Sequence, residues 1–558
     1  MSNESAVDVT GTHDRRRWWG LAFIALGVAM IIVDATIVNV AVPTIIDELH
    51  ITSTQAQWVQ EAYTLVFAST LLVFGRLADR FGRRLLFLLG VAIFTASSVL
   101  AAMAPDGTAL IAARVAQGIG GAMMLPTSLS LLNAGFRGKD RAIAFAIWGS
   151  TIGGTAALGP LLGGWLTTSY SWRWAFGINI PLGIAVAIGT LVFVRESKEG
   201  AVAGGADYLG ALLSVVGFTG IVFGLIEGRN YGWWSLDKPF TFLKWTWTWS
   251  ISPVLVAFAV GVAALALFVW LERRRHAAGL PVLLDLDLFR ISSFRNGNVV
   301  ALIVSLGEFG ILFSLPLWFQ NVRGFSAFET GAALLPLALG SFAASGFGAQ
   351  LAQNRGAVFA VRLGIVLEIV GIVSLGLAIS ATRAWWPTLP ALFVYGLGVG
   401  LATAQITGVV LVDVPVAKSG QGSGTQSTSR QIGSALGIAI LGTVLFTALG
   451  ANLDRQLEQV PSLSAQQRAA AVESVKVTAG AVIPELESNP VTQPIAQRAQ
   501  VALSKASSLS AYVAAGFLGL GLLASFALHG RATGIAAPPK DERVEPAGEA
   551  DVEVTSGP

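Results

Sequence analysis

The chain holds 558 residues, 54% hydrophobic and only 12% charged, with a net charge of +3 at neutral pH. Soluble domains carry about 25% charged residues, and a mean hydropathy of +0.67 at this length leaves more apolar surface than water can cover, so the composition excludes an ordinary soluble protein. With no cysteine and four histidines standing singly at 13, 50, 276 and 529, disulfides, thiol chemistry and metal-ligand spacing are excluded as well, and the small positive balance reads as loop lysine and arginine rather than a nucleic-acid footprint.

In chain order, residues 1–18 form a polar start ending in Arg15, Arg16 and Arg17. The apolar run that follows is too long for a signal-peptide core. Crossing a bilayer takes about 20 apolar residues, and spans are expected at 19–43, 56–75, 85–104, 109–132, 143–167 and 175–194, a six-helix bundle over 19–194. The stretch 195–296 adds two inserted spans, 207–227 and 252–271. A second six-helix bundle, 297–528, has spans at 297–320, 329–352, 362–381, 388–412, 424–449 and 510–528. The fold class expected is therefore all-α, integral to the membrane, with fourteen transmembrane helices. The tail 529–558 is rich in Pro, Glu, Asp and Gly and is expected to be disordered.

Two loops stand out. Residues 228–251 hold Trp233, Trp234, Trp245, Trp247 and Trp249, which an aromatic belt at headgroup depth explains, although the period-two alternation from Trp245 to Trp249 also fits a short hairpin strand. The long loop 450–509 is polar and alanine-rich over 465–480, where short amphipathic helices are expected. Lysine and arginine gather in the loops on the N-terminal side. Short loops of the other side hold only six: Arg173, Arg229, Lys238, Lys244, Arg323 and Arg383. That bias predicts both termini in the cytoplasm of a multi-pass protein of the plasma (inner) membrane.

The loop after the second span, 75–90, aligns without a gap on the loop after the tenth, 349–364, at an offset of 274, with Leu77/Leu351, Ala78/Ala352, Gly82/Gly356, Leu89/Leu363 and Gly90/Gly364 identical. Two parallel halves are a known transporter plan, able to expose one central site to each side in turn.

Four stretches carry a resemblance to the major facilitator superfamily, in its fourteen-helix drug/proton antiporter branch. The first runs from Gly75 through Asp79, Arg80, Gly82 and Arg83 to Arg84; the second from Leu110 to Gly120 around Arg114; the third from Asp34 to Pro43; the fourth holds Gly159, Pro160, Gly163 and Gly164, with Thr155 where a glycine is expected. The resemblance implies that the Asp79 cluster latches a cytoplasmic gate, and that the Gly159 segment marks exporters rather than importers.

Ionisable groups within spans are costly, so each must be neutral, paired or wet. Asp34 lies at a depth Arg114 can reach, and the two are expected to pair. Glu308 sits near the middle of the ninth span with no basic residue within a turn or two, which suits a group that takes up protons. Glu61, in the second turn of the second span, is placed in an outer vestibule where it can attract cations; Gln60, Asn39, Gln405 and Phe309 are further candidates for the substrate cavity. Glu368 is expected to face lipid or to pair with Arg362, and Glu227 and Asp413 to be solvated at helix ends. The expected function is export of small amphipathic or cationic compounds in exchange for protons, or dedicated export of a lipid or secondary metabolite. The expected protein is a monomer in the bilayer, with no cofactor, metal or nucleic-acid partner. No phosphate loop of the type G-x-x-x-x-G-K-[ST] is present, which argues against ATP-driven transport and against an enzyme of that kind.

Overall fold

The computed structural model describes residues 15–136, 138–197, 207–242, 245–280, 282–415, 419–460 and 463–528. The first half consists of α1 (Arg15–Leu49), α2 (Ser53–Phe81), α3 (Arg83–Ala102), α4 (Gly107–Gly135), α5 (Gly138–Ser169), the single turn α6 (Trp174–Gly177) and α7 (Asn179–Phe193). The inserted pair is α8 (Tyr208–Tyr231) and α9 (Pro253–Ala277). The second half is built from α10 (Ser292–Arg323), α11 (Ala327–Arg355), α12 (Ala357–Ala378), α13 (Thr388–Leu411), α14 (Ser419–Leu457), the short α15 (Ala465–Val477) and α16 (Ile483–Ser488), and α17 (Gln493–Ser525). Among the described residues, twelve helices are long and apolar enough to cross a membrane. The two other long helices are α2, which carries Gln55, Gln57, Gln60 and Glu61, and the glycine- and threonine-rich α5.

The duplication is visible in the backbone. Thr52 before α2 and Ser326 before α11 each form a reciprocal capping box, with Gln55 and Glu329 returning the bond. These positions are again 274 residues apart. Gly82 and Gly356, joining α2 to α3 and α11 to α12, share the same unusual backbone, with φ of 120° and 91°. A side chain is strained there, so glycine is required at both turns.

The end of the bundle where α1 begins carries the arginine-rich loops and is called the near end below; the opposite is the far end. Two expectations are corrected. The loop 450–509 is shorter: α14 continues to Leu457 and α17 begins at Gln493. Hydropathy marks only the membrane-crossing part, whereas Ala496, Ala499, Ala502, Leu503 and Ala506 extend a packed helical face beyond it. Within the remaining loop, α15 lies in the alanine-rich stretch. Residues 228–251 contain a hairpin, Thr241–Phe242 paired antiparallel with Trp245–Thr246, rather than an aromatic belt alone. Backbone pairing satisfies groups that an irregular loop would leave open.

Candidate functional site

In the first half the chemistry centres on Asp34 of α1. Its carboxylate forms a direct ion pair with Arg114 of α4, both side chains fully buried. The other oxygen accepts from Asn179 Nδ2 of α7 at 2.7 Å and Gln117 Nε2 of α4 at 3.1 Å. Both amides also donate to Ser98 of α3, at 3.2 and 2.8 Å. Arg114 donates further to Gln117 Oε1 at 2.9 Å and to the Val59 carbonyl of α2 at 3.0 Å, and lies 4.3 Å from the Tyr63 ring centroid. Five helices thus converge on one charge pair. Burying an isolated charge costs several kcal/mol, and the network repays that cost only while all its members are present. Sequence spacing draws attention to Asp34 and Arg114; Ser98 and Asn179 carry no such signal, because a serine or asparagine in a span is commonplace.

The second half holds a different set. Glu308 of α10 is buried, its carboxylate accepting from Thr403 Oγ1 of α13 at 3.1 Å, while Tyr395 donates to its backbone carbonyl at 3.2 Å. Glu368 of α12 is fully buried as well, with neither carboxylate oxygen hydrogen-bonded, and its helix packs closely against Gly398 of α13. Glu308, Glu368 and Arg430 of α14 are near enough to act on one another electrostatically. Glu308 has no basic residue near it on its own helix, and its basic neighbour, Arg430, is brought in from another. One expectation fails here. Glu368 neither faces lipid nor pairs with Arg362, whose guanidinium donates instead to the carbonyls of Ser525 and Leu528 at 3.1 and 3.3 Å. Two acids therefore share one base. Position carries the missed signal: residues 34 and 308 are related by the same offset of 274 that pairs the loops.

Between the halves, the described contacts lie toward the far end. Gln320 of α10 donates to the Val40 carbonyl of α1 at 2.9 Å, and within the first half Asn39 of α1 accepts a hydrogen bond from Gln60 of α2. The α5 motif has two faces. A side chain at Gly159 or Gly163 would run into Thr36 and Ile37 of α1, and one at Gly164 into Ala327 and Phe328 of α11. Gly331 sits against the Pro160 carbonyl, and Phe328 donates its amide to Thr168 at 2.9 Å. Glycine lets these backbones touch where larger residues would hold them apart. Glu61 is fully buried at the seam of α2 and α14 beside Ala439, with both oxygens unpartnered, rather than in an open vestibule. Gln405 is half-buried on α13 near Gly348, and Phe309 packs against an apolar core that joins residues of both halves. Glu227 is not solvated: it accepts from Trp58 Nε1 at 2.8 Å and from Asn230 at 2.9 Å. Asp413 is exposed and accepts from Ser293 at 2.8 Å.

Of the gate motif, Gly75 lies 3.6 Å from Pro126 of α4, measured from where its Cβ would stand. Gly82 lies under the carboxylate of Glu196, which caps α3 by accepting from the amides of Arg84 and Leu85, each at 3.0 Å. The Arg83 amide donates to the Ser197 carbonyl at 3.2 Å. The side chains of Arg76, Asp79 and Arg80 lie outside the described set, and so does their expected clustering. In the linker before α10, His276, Asp285 and Asp287 bring their ligand atoms within 4.8 Å of one another, a grouping that the solitary histidines do not suggest. Internal contacts account for it: His276 bonds Asp287 at 2.7 Å and Asp285 caps the Asp287 amide at 3.0 Å.

The sequence profile of the Major Facilitator Superfamily matches residues 24–438. Multidrug resistance protein Stp of Mycobacterium tuberculosis is 35% identical over 435 residues, covering 78% of this chain and 77% of the relative. The probable actinorhodin transporter of Streptomyces coelicolor is 33% identical over 469 residues, covering 82% and 77%. Multidrug efflux pump LfrA of Mycolicibacterium smegmatis is 31% identical over 508 residues, covering 90% and 94%. In fold, the chain resembles a bacterial homolog of the human lysosomal transporter Spinster, crystallised inward-facing and unoccupied. The TM-score is 0.60 at 15% identity, over 93% of this chain and 98% of that one.

Proposed function

The chain belongs to the major facilitator superfamily, and from that membership we propose that it is a proton-coupled antiporter, of the fourteen-helix drug/proton branch, exporting small amphipathic or cationic compounds. Its relatives are named as multidrug efflux pumps and antibiotic exporters. In this reading α2 and α5 also cross the membrane, and the near end is cytoplasmic.

The observation that carries the proton coupling is the pair of buried carboxylate sets, one per half, in otherwise apolar walls. A proton on Asp34 removes the charge opposite Arg114, leaving the guanidinium held by Gln117, the Val59 carbonyl and the Tyr63 ring. Helices α1 and α4 can then shift. In the second half, two acids around Arg430 leave one negative charge unbalanced. A proton can neutralise it, or a cationic cargo can, and exchange follows because the two compete for one charge. Each proton entering through 100 mV supplies about 2.3 kcal/mol. The glycine seam of α5 against α11 acts as the far-side gate.

Purified protein in sealed vesicles tests this directly. Uphill movement of a lipophilic cationic dye should start when a pH gradient is imposed and stop when a protonophore is added. Movement at one rate with or without the gradient and voltage overturns the proposal. Relatives named for a single antibiotic, actinorhodin or tetracenomycin C, favour a second reading, a dedicated secondary-metabolite exporter. A panel of unrelated dyes separates the two, since a dedicated exporter moves none of them.

A further inference from the structure

At the far end, α17 and the loop leaving α12 enclose a groove of about 360 Å³ that no step of the transport cycle uses. Its upper wall is polar: Lys505 and Ser508 on α17, and Ser380 and Thr382 on the loop. Lys505 is exposed and has neither an ion pair nor a hydrogen bond to any described residue. Its lower wall is apolar, formed by Leu509 and Tyr512, which are 43% and 40% exposed. Below them, on the same face of α17, come Gly516 and Leu520. No atom lies within 4 Å of a Cβ built at Gly516, and Leu520 is 55% exposed.

The depth of the lysine follows from helix geometry. Helix α12 has 22 residues, a length of about 33 Å at 1.5 Å per residue. That matches a hydrocarbon core of about 30 Å, so its last residue, Ala378, marks the core boundary. Tyr512 lies against Gly376, just inside that boundary. Lys505 is seven residues further out on α17, about 10 Å along the axis. Its ammonium therefore stands in the headgroup layer, above an apolar channel that runs down into the core.

We propose that this groove binds one membrane phospholipid, the phosphate on Lys505 with the hydroxyls of Ser508 and Thr382, and an acyl chain laid along Leu509, Tyr512 and Gly516. An unpaired lysine is a point charge suited to phosphate. Lys505 is the one cation among the described residues lining the groove, so a lipid with net negative charge binds better than a zwitterionic one, whose own ammonium competes with the lysine. Simple snorkelling of Lys505 to the interface needs neither the hydroxyls nor the groove beneath.

Native mass spectrometry of the detergent-solubilised full chain, titrated separately with phosphatidylglycerol, phosphatidylcholine and inorganic phosphate, tests the site. One phosphatidylglycerol should be retained. Lys505→Gln should weaken it about tenfold, one charge-assisted hydrogen bond's worth. Ser508→Leu, which fills the groove and keeps the charge, should weaken it likewise. Equal retention by both variants, or equal retention of phosphatidylcholine, overturns the proposal. Displacement of the lipid by inorganic phosphate at the same concentration overturns it too, because the site is then one for a free anion. Neither variant touches the buried carboxylate sets, so drug export in vesicles is read separately.

Discussion

Asp34 and Glu308 occupy equivalent places on the first helix of each half, 274 residues apart, yet their surroundings differ in kind. Asp34 is matched one to one with Arg114 and tied to two amides. Glu308 shares Arg430 with Glu368. One half pairs its buried acid with its own base, while the other sets two buried acids around one base.

Asp34→Asn should destabilise the protein by about 3–5 kcal/mol, because Arg114 then carries a buried charge with no counterion. Adding Arg114→Gln to Asp34→Asn should recover most of the loss, since neither charge remains. Thermal unfolding of the single and double variants in detergent measures the coupling. A double variant less stable than Asp34→Asn alone would contradict the pairing.

Glu308→Gln leaves one acid to one base in the second half, so the set no longer requires a proton. Gradient-driven export should fall on the order of tenfold or more, while downhill movement of the same dye persists and the amount of protein is unchanged. Glu368→Gln should flatten the pH profile of export in the same way. Full gradient-driven transport by Glu308→Gln removes that residue from the coupling.

Much of the first set can be read in the sequence, and little of the second. Asp34 and Arg114 announce themselves because charges are rare in spans and these two lie at matching depths. The company Glu308 keeps is invisible along the chain, since Glu368 is 60 residues away and Arg430 is 122. Only the packing of α10, α12, α13 and α14 brings them together. Besides the rarity of an acid in mid-span at Glu308, repeat spacing reaches the site: the offset of 274 links Thr52 to Ser326, Gly82 to Gly356 and Asp34 to Glu308. Loop lengths are misjudged for a different reason, because polar, alanine-rich helices such as the first four turns of α17 have no hydropathy signal.

Gly164→Leu places a side chain against the Ala327 carbonyl and Phe328 of α11. Overpacking of this kind costs about 1–3 kcal/mol, here charged only to the far-side closed state. The variant should rest with that side open. Ala327, only 5% exposed, reports it: an Ala327→Cys probe should react with an impermeant thiol reagent in the Gly164→Leu background and stay protected without it. The chain has no cysteine of its own, so the background is silent. Protection in both backgrounds would show that the seam does not gate access.

Glu473 of α15 bonds Lys476 at 2.9 Å and Lys238 of the hairpin loop at 3.5 Å. Lys476 first, and Lys238 with it, hold its carboxyl below the ordinary value of 4.5. A depressed folded value means that the contact adds stability above pH 4.5 and loses it as the pH falls through the lower, folded value. The pair is largely exposed, so the effect is small. Amide protection across α15, corrected for the intrinsic exchange rate at each pH, should fall as the pH drops below 4.5, and Glu473→Gln should abolish the difference.

Helix α8 lies across the seam of α2 and α14, bonded to α2 through Trp58 and Glu227 and to α14 through Thr443 and the Leu225 carbonyl, the latter at 2.9 Å. The two halves of a rocking transporter have two flanks, and here one is shuttered by a helix that belongs to neither half. The α5 and α11 flank has no such cover among the described residues, so the inserted helix pair makes a two-fold arrangement one-sided.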